Sequence, residues 1–201
     1  MIVRGVLQIH SAPPALCPHI EWAAAGVFDV PVDLIWIDQP AAPGAVRSEL
    51  SWQGRPGTSA ALASALASWN LLRFEVSEEA SPGCDAVRYS CTPALGMFSA
   101  TVSASGDVMI GENRLRAAMT LAASAAGQAA SPSGLAASPG SAGSEDSLGT
   151  LRELHGPRHP ALGGSLEAEL SLLLGEPWDA ELEPFRHASA GAPVRWLHAT
   201  G

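Results

Sequence analysis

The chain contains no lysine: all eleven of its basic residues are arginines, set against 20 acidic residues, for a net charge of -9 and a pI near 5.0. Without a side-chain amine, Schiff-base catalysis, a phosphate-loop lysine and a lysine general base are ruled out. The acidic balance opposes a phosphate backbone through long-range repulsion, so nucleic acid is not expected as a partner. Together with abundant Ala, Gly and Pro, the missing lysine looks like the coding bias of a GC-rich genome. No apolar run approaches the roughly 18 residues that span a bilayer, and Met1–Gly5 carries neither a basic leader nor a cleavage site. No membrane partner is expected. The three cysteines, Cys17, Cys84 and Cys91, form no C-x-x-C pair and leave an odd thiol under any pairing, which fits a reducing cytosol.

What is present suits one domain: 201 residues can bury a core but not two comfortable ones. Val3 to His10 alternates as a strand and stops at Pro13-Pro14. Pro18 fits the first position of a helix to about Val27, with Cys17 as its N-cap and Ile20, Ala23, Ala24 and Val27 as its buried stripe. Val32 to Ile37 reads as an internal strand, and Val46 to Trp52 as a strand with Val46, Ser48, Leu50 and Trp52 on one face. After the turn Gly54–Gly57, Thr58 or Ser59 caps a helix carrying Leu62, Ala65, Leu66 and Trp69. Leu71 to Val76 is the next strand, with Leu72, Phe74 and Val76 inward.

The order βαββαβ predicts an α+β fold, a ferredoxin-like antiparallel sheet with both helices on one face. Its other face would show Arg47, Glu49 and Ser51 beside Arg73 and Glu75, open to cover by later segments of the chain. A C-terminal extension then supplies a hairpin (Ala86–Cys91, Met97–Val102), a short strand Val108–Ile110, helices from Glu112 to about Ala126, Ser165 to Leu174 and Trp178 to His187, the last interrupted by Pro184, and a final strand Val194–Leu197. Between residues 128 and 164 the composition collapses to Ala, Ser, Gly and Pro. That stretch reads as a disordered insertion in a single domain formed by residues 1–127 and 165–201.

The blocks His10–Trp22, Leu50–Thr58, Leu72–Val76 and Trp178–Arg186 together resemble an uncharacterised actinobacterial family, domain of unknown function 3145. The resemblance runs from Gly5 to about Thr101, from Gly106 to Met119 and from Leu166 to Leu197. It implies a cytoplasmic protein linked to fatty-acid synthesis, and it brings no assigned activity and no catalytic residue. The insertion departs from the family pattern, in which the flanking helices lie closer together.

Two candidate sites emerge from the residues themselves. Cys17 at a helix N-terminus, with His10 or His19 as base, is a candidate catalytic thiol, because the helix dipole favours a thiolate. The plainer alternative is a small buried cysteine filling a turn. Cys17 and His19 stand i and i+2 on the helix, about 200° apart, so no shared metal is expected. The second site, Arg55, Gly57, Thr58 and Ser59 at the next helix start, is a candidate anion-binding turn, with an ordinary strand-to-helix turn as the alternative. Of the six tryptophans most are expected in the core, whereas Trp178 would anchor the C-terminal helices over the sheet or, if exposed, mark an interface. The acidic run Glu176, Asp179, Glu181 and Glu183 reads as a solvated face.

The function expected from these features is that of an accessory or regulatory protein binding a protein partner or a small acyl-type ligand, without a cofactor. The alternative is a thiol-dependent enzyme using Cys17 with His10 or His19.

Overall fold

The computed structural model describes residues 2–129, 165–188 and 195–198. The insertion expected to be disordered lies outside these residues from position 130 onward. The elements in chain order are β1 (Val3–Ala12), α1 (Cys17–Phe28), β2 (Ile37–Asp38), β3 (Val46–Gly54), α2 (Thr58–Leu66), β4 (Arg73–Glu78), β5 (Ala86–Thr92), β6 (Gly96–Val102), β7 (Val108–Met109), α3 (Glu112–Ala129), α4 (Leu166–Leu174), α5 (Glu176–Ala188) and β8 (Arg195–His198).

Seven strands form one open antiparallel sheet in the order β2-β3-β1-β4-β5-β6-β7, and β8 pairs in parallel with β3. The expected hairpin is therefore no separate appendage. β5 pairs with β4 from Phe74↔Cys91 to Glu78↔Val87 and carries the sheet onward.

Alternation sorts the sheet into two faces. One face presents Leu7 and Ile9 from β1, Leu50 and Trp52 from β3, and Phe74 and Val76 from β4, all buried. Against it pack Ile20, Ala24 and Phe28 of α1 and Leu62, Ala63 and Leu66 of α2, so both helices share this core. Gly5 is where the core needs a missing side chain. A Cβ there would collide with the Trp52 indole and with the backbone oxygen of Ser77. The Trp52 ring fills that space and meets Phe28 at 5.9 Å between centroids.

The other face is polar, and α5 lies across it. Arg73, Glu75, Arg88 and Ser90 meet Asp179, Glu181 and Arg186 there, while Leu182 is buried and Trp178 stacks on Phe98 at 5.1 Å. The indole N–H of Trp178 donates to the Gly96 carbonyl at 2.9 Å. This side chain anchors the C-terminal helices, as one of its two expected roles required.

Several elements differ from expectation. The apolar run Val32–Ile37 is not an internal strand. It contributes only the two-residue β2, paired with Arg47 and Val46, because the Glu21 carboxylate accepts from the Leu34 amide (3.0 Å) and the Trp36 indole (2.9 Å). Val32 and Leu34 still turn into the core while Ile35 is exposed. Cys17 is not the N-cap of α1. A 3-10 turn over Pro14–Leu16 leads straight into the helix, which places Leu16 at the cap and Cys17 at the first helical position. Pro184 does not interrupt α5. The hydrogen bond that it forfeits falls on the exposed side at Ala180, and the buried Leu182 and the Arg186 contacts hold the helix on both sides of it.

Gly5→Ala is expected to destabilise the protein by about 3 kcal/mol or more, since the overpacked atom meets backbone as well as a buried ring. A fall in the urea midpoint of the variant at unchanged slope measures this, and an unaltered midpoint would show that β1 and Trp52 can part without cost.

Candidate functional site

Three of the groups singled out in the sequence, His10, Cys17 and the amides at the start of α2, lie beside a carboxylate that was not the neighbour expected. His10 sits on the α5 face of β1. Its Nε2–H donates to the Glu75 carboxylate at 2.7 Å in a buried contact. Glu75 is a hub: Arg186 donates to it through Nε (2.8 Å) and Nη2 (2.6 Å), and Ser90 through its hydroxyl (3.0 Å). Burial by itself pushes the Glu75 carboxyl upward, but the hydrogen bonds and charge of His10 and Arg186 overcome it and hold the group far below the ordinary carboxylate range. For Arg186, burial works against the charge, and the bonds to Glu75 and Asp179 more than reverse it, so its pKa moves up. Asp179 also takes a hydrogen bond from Arg88 at 2.8 Å.

His10 is thereby committed to a structural ion-pair network, and no hydrogen bond joins it to Cys17 among the described residues. Cys17 is half-buried at the start of α1, on the opposite side of the sheet, and His19 is exposed. Burial raises the Cys17 thiol pKa and the nearby Glu21 raises it further, against a smaller lowering by a backbone hydrogen bond. The dipole at the helix start is not sufficient to activate it. Cys91 is more deeply buried and its thiol is pushed up to about 11, by burial and by Glu181.

The second candidate, Arg55–Ser59, does present amides at the start of α2, with Gly57 in the left-handed region at φ 89°. These amides are already in use. The Glu78 carboxylate accepts from the Gly57 N–H (2.8 Å), the Ser59 N–H (2.9 Å) and the Ser59 hydroxyl (2.8 Å). The chain thus carries its own anion at this turn, delivered from β4. Thr58 turns its hydroxyl to the Arg55 carbonyl at 2.7 Å, and the Arg55 side chain is exposed. An external anion would have to displace Glu78. Nothing local marks this contact in the sequence, since Glu78 lies 19 residues beyond Ser59.

A feature missed in the sequence is the outer surface between α1 and α2. Trp22 is 77 % exposed, and with Ala23, Gly26, Val27, Ala65 and Trp69 it lines an open apolar groove of about 470 Å³. That volume lies within the usual range for small-molecule sites. The signal was present: Trp22 falls off the Ile20-Ala24 stripe and so had to point away from the core.

These features define an α+β protein with an open antiparallel sheet, helices on both faces and no helix among the described residues long and apolar enough to cross a membrane. The chain belongs to the protein family of unknown function DUF3145, whose model matches residues 6–153 and 144–199. No curated protein and no solved structure matches it.

Two outcomes are expected from the electrostatics. Because the folded-state pKa of Glu75 is lowered, its contribution is complete above the unfolded carboxylate value of about 4.3 and is lost as pH falls below it toward the folded value. Glu75→Gln should cost about 3 kcal/mol at pH 7. The gap between wild type and variant in denaturant unfolding should narrow from pH 5 to pH 2, and a gap independent of pH would contradict the network. In alkylation at neutral pH, exposed Cys84 should label first, Cys17 more slowly than a free thiol and Cys91 last, read by mass spectrometry.

Proposed function

We propose that this protein is a non-enzymatic cytoplasmic accessory or regulatory protein that binds an acyl-type ligand, or the protein that carries one, in the groove between α1 and α2. The observation that carries this reading is the exposed Trp22 at the rim of an apolar groove, on the outer side of two helices whose inner sides are fully used by the core. An exposed indole beside small residues offers a flat apolar wall with little side-chain entropy to lose. An alkyl chain laid along Ala23, Gly26, Val27 and Ala65 would leave water against a mainly apolar lining, with Ser68 as its polar side chain.

The state of the polar groups points the same way. His10 is tied to Glu75, the α2 amides are tied to Glu78, and the Cys17 thiol is raised rather than lowered. This supports binding over thiol catalysis. We read the unit β1-α1-β2-β3-α2-β4 as ferredoxin-like, supported by its strand order β2-β3-β1-β4 and by α1 and α2 sharing one face. A role beside fatty-acid synthesis agrees with an acyl occupant.

The test is tryptophan fluorescence of the full chain titrated with medium-chain acyl ligands. Saturable quenching or a blue shift is expected, and Trp22→Ala should weaken binding by about 2 kcal/mol, roughly thirtyfold. Absence of any saturable change with acyl chains, alone or linked to a carrier protein, would remove the proposal.

A further inference from the structure

Among the described residues, the half-buried arginines on the α5 face of the sheet are matched with carboxylates, while Arg4 of β1 is exposed to water. Arg73 pairs with Glu181 at 3.2 Å, Arg88 with Asp179 at 2.8 Å, and Arg186 with Glu75 and Asp179. These three are half-buried. Arg47, on β3, is only 8 % exposed, and among the described residues it has no ion pair. Its Nε and Nη1 are buried without an acceptor. The Nε atoms of Arg73 and Arg88 also lack acceptors, but their guanidiniums are neutralised elsewhere. Glu49, two residues along the same face, is approached by Gln8 at 3.5 Å and forms no ion pair with Arg47. A guanidinium is the costliest kind of group to leave buried and unpaired, because it cannot shed its proton.

A second observation falls at the same place. Between the pairs Ile9↔Ser48 and Ala12↔Val46 the β1–β3 register shifts, so that His10 and Ser11 together face the single residue Arg47. This is a bulge, a device that opens a ladder locally and re-aims side chains, often beside a binding site. Buried Gln39 braces it by donating to the His10 carbonyl at 2.6 Å. His10 is turned to Glu75, and its imidazole brings no negative charge to Arg47.

We propose that Arg47 at the β1 bulge is an oxyanion site, taking the carboxylate or phosphate group of a small ligand. The planar, permanently charged guanidinium matches the oxygen geometry of both groups. The site lies on the opposite side of the sheet from the α1–α2 groove and stands apart from the acyl-binding proposal.

The test is thermal unfolding of the full chain at constant ionic strength, with chloride exchanged for inorganic phosphate in one series and for acetate in another, for wild type and Arg47→Met. A saturable rise in Tm confined to wild type is expected. At an anion concentration a hundredfold above its Kd, linkage raises the folding constant about a hundredfold. A response to phosphate alone assigns a phosphate ligand, and a response to acetate alone assigns a carboxylate. An equal rise in Arg47→Met, or no rise in wild type, overturns the proposal. Should Arg47→Met not fold, the Arg47 Nε–H resonance of wild type gives the same decision: a saturable shift with either anion supports the site, and an unmoved resonance overturns it.

Discussion

The carboxylate of Glu75 is the constraint around which the two halves of this molecule are joined. It is placed at mid-strand in β4, on the face away from the apolar core, where burial without partners would force it to take up a proton. It stays charged because β1 brings His10, β5 brings Ser90, and α5 brings Arg186 to the same two oxygens. Strands close in sequence could have met without it. Helix α5, more than a hundred residues away, is oriented on the sheet by it, with Arg88–Asp179 and Arg73–Glu181 setting direction on either side.

The division of labour between the two sheet faces stems from that arrangement. The α1–α2 face relies on apolar burial, with Trp52 accommodated by the bare backbone of Gly5. The α5 face relies on matched charge with a small apolar anchor of Trp178, Phe98 and Ala100. The apolar face is close-packed along the inner sides of α1 and α2 but makes no demand on their outer sides. The first face can therefore tolerate a variable outer surface, and the exposed groove is found there.

Elements governed by local periodicity are legible in the sequence, and those governed by distant side chains are not. The inward set Leu72, Phe74 and Val76 can be read from alternation, as can Ile20 and Ala24 from helical spacing. Val32–Ile37 resembles a buried strand because apolar content does not reveal that Glu21 captures the Leu34 amide. The acidic run of α5 reads as solvated, yet Asp179 and Glu181 face arginines on strands that no spacing rule connects to them. Of the candidate sites, the residues are identifiable but their partners are not. Proximity along the chain joins His10 to Cys17, 7 positions away, whereas its bond is to Glu75, 65 positions away. The start of α2 is indeed attractive to an anion, but the anion is Glu78.

The pairing of β8 with β3 has a bearing on biosynthesis. As the chain emerges from a ribosome, β3 is made early and gains β1 on one side almost at once, while its outer edge meets only the two residues of β2. Leu50 to Gln53 must wait for β8 to present its backbone. Throughout that interval the nascent molecule carries an unfinished ladder edge, the feature by which strands recruit strangers. The outer edge of Leu50 to Gln53 is thus covered only after β8 has been made, and β8 then takes its place as the edge.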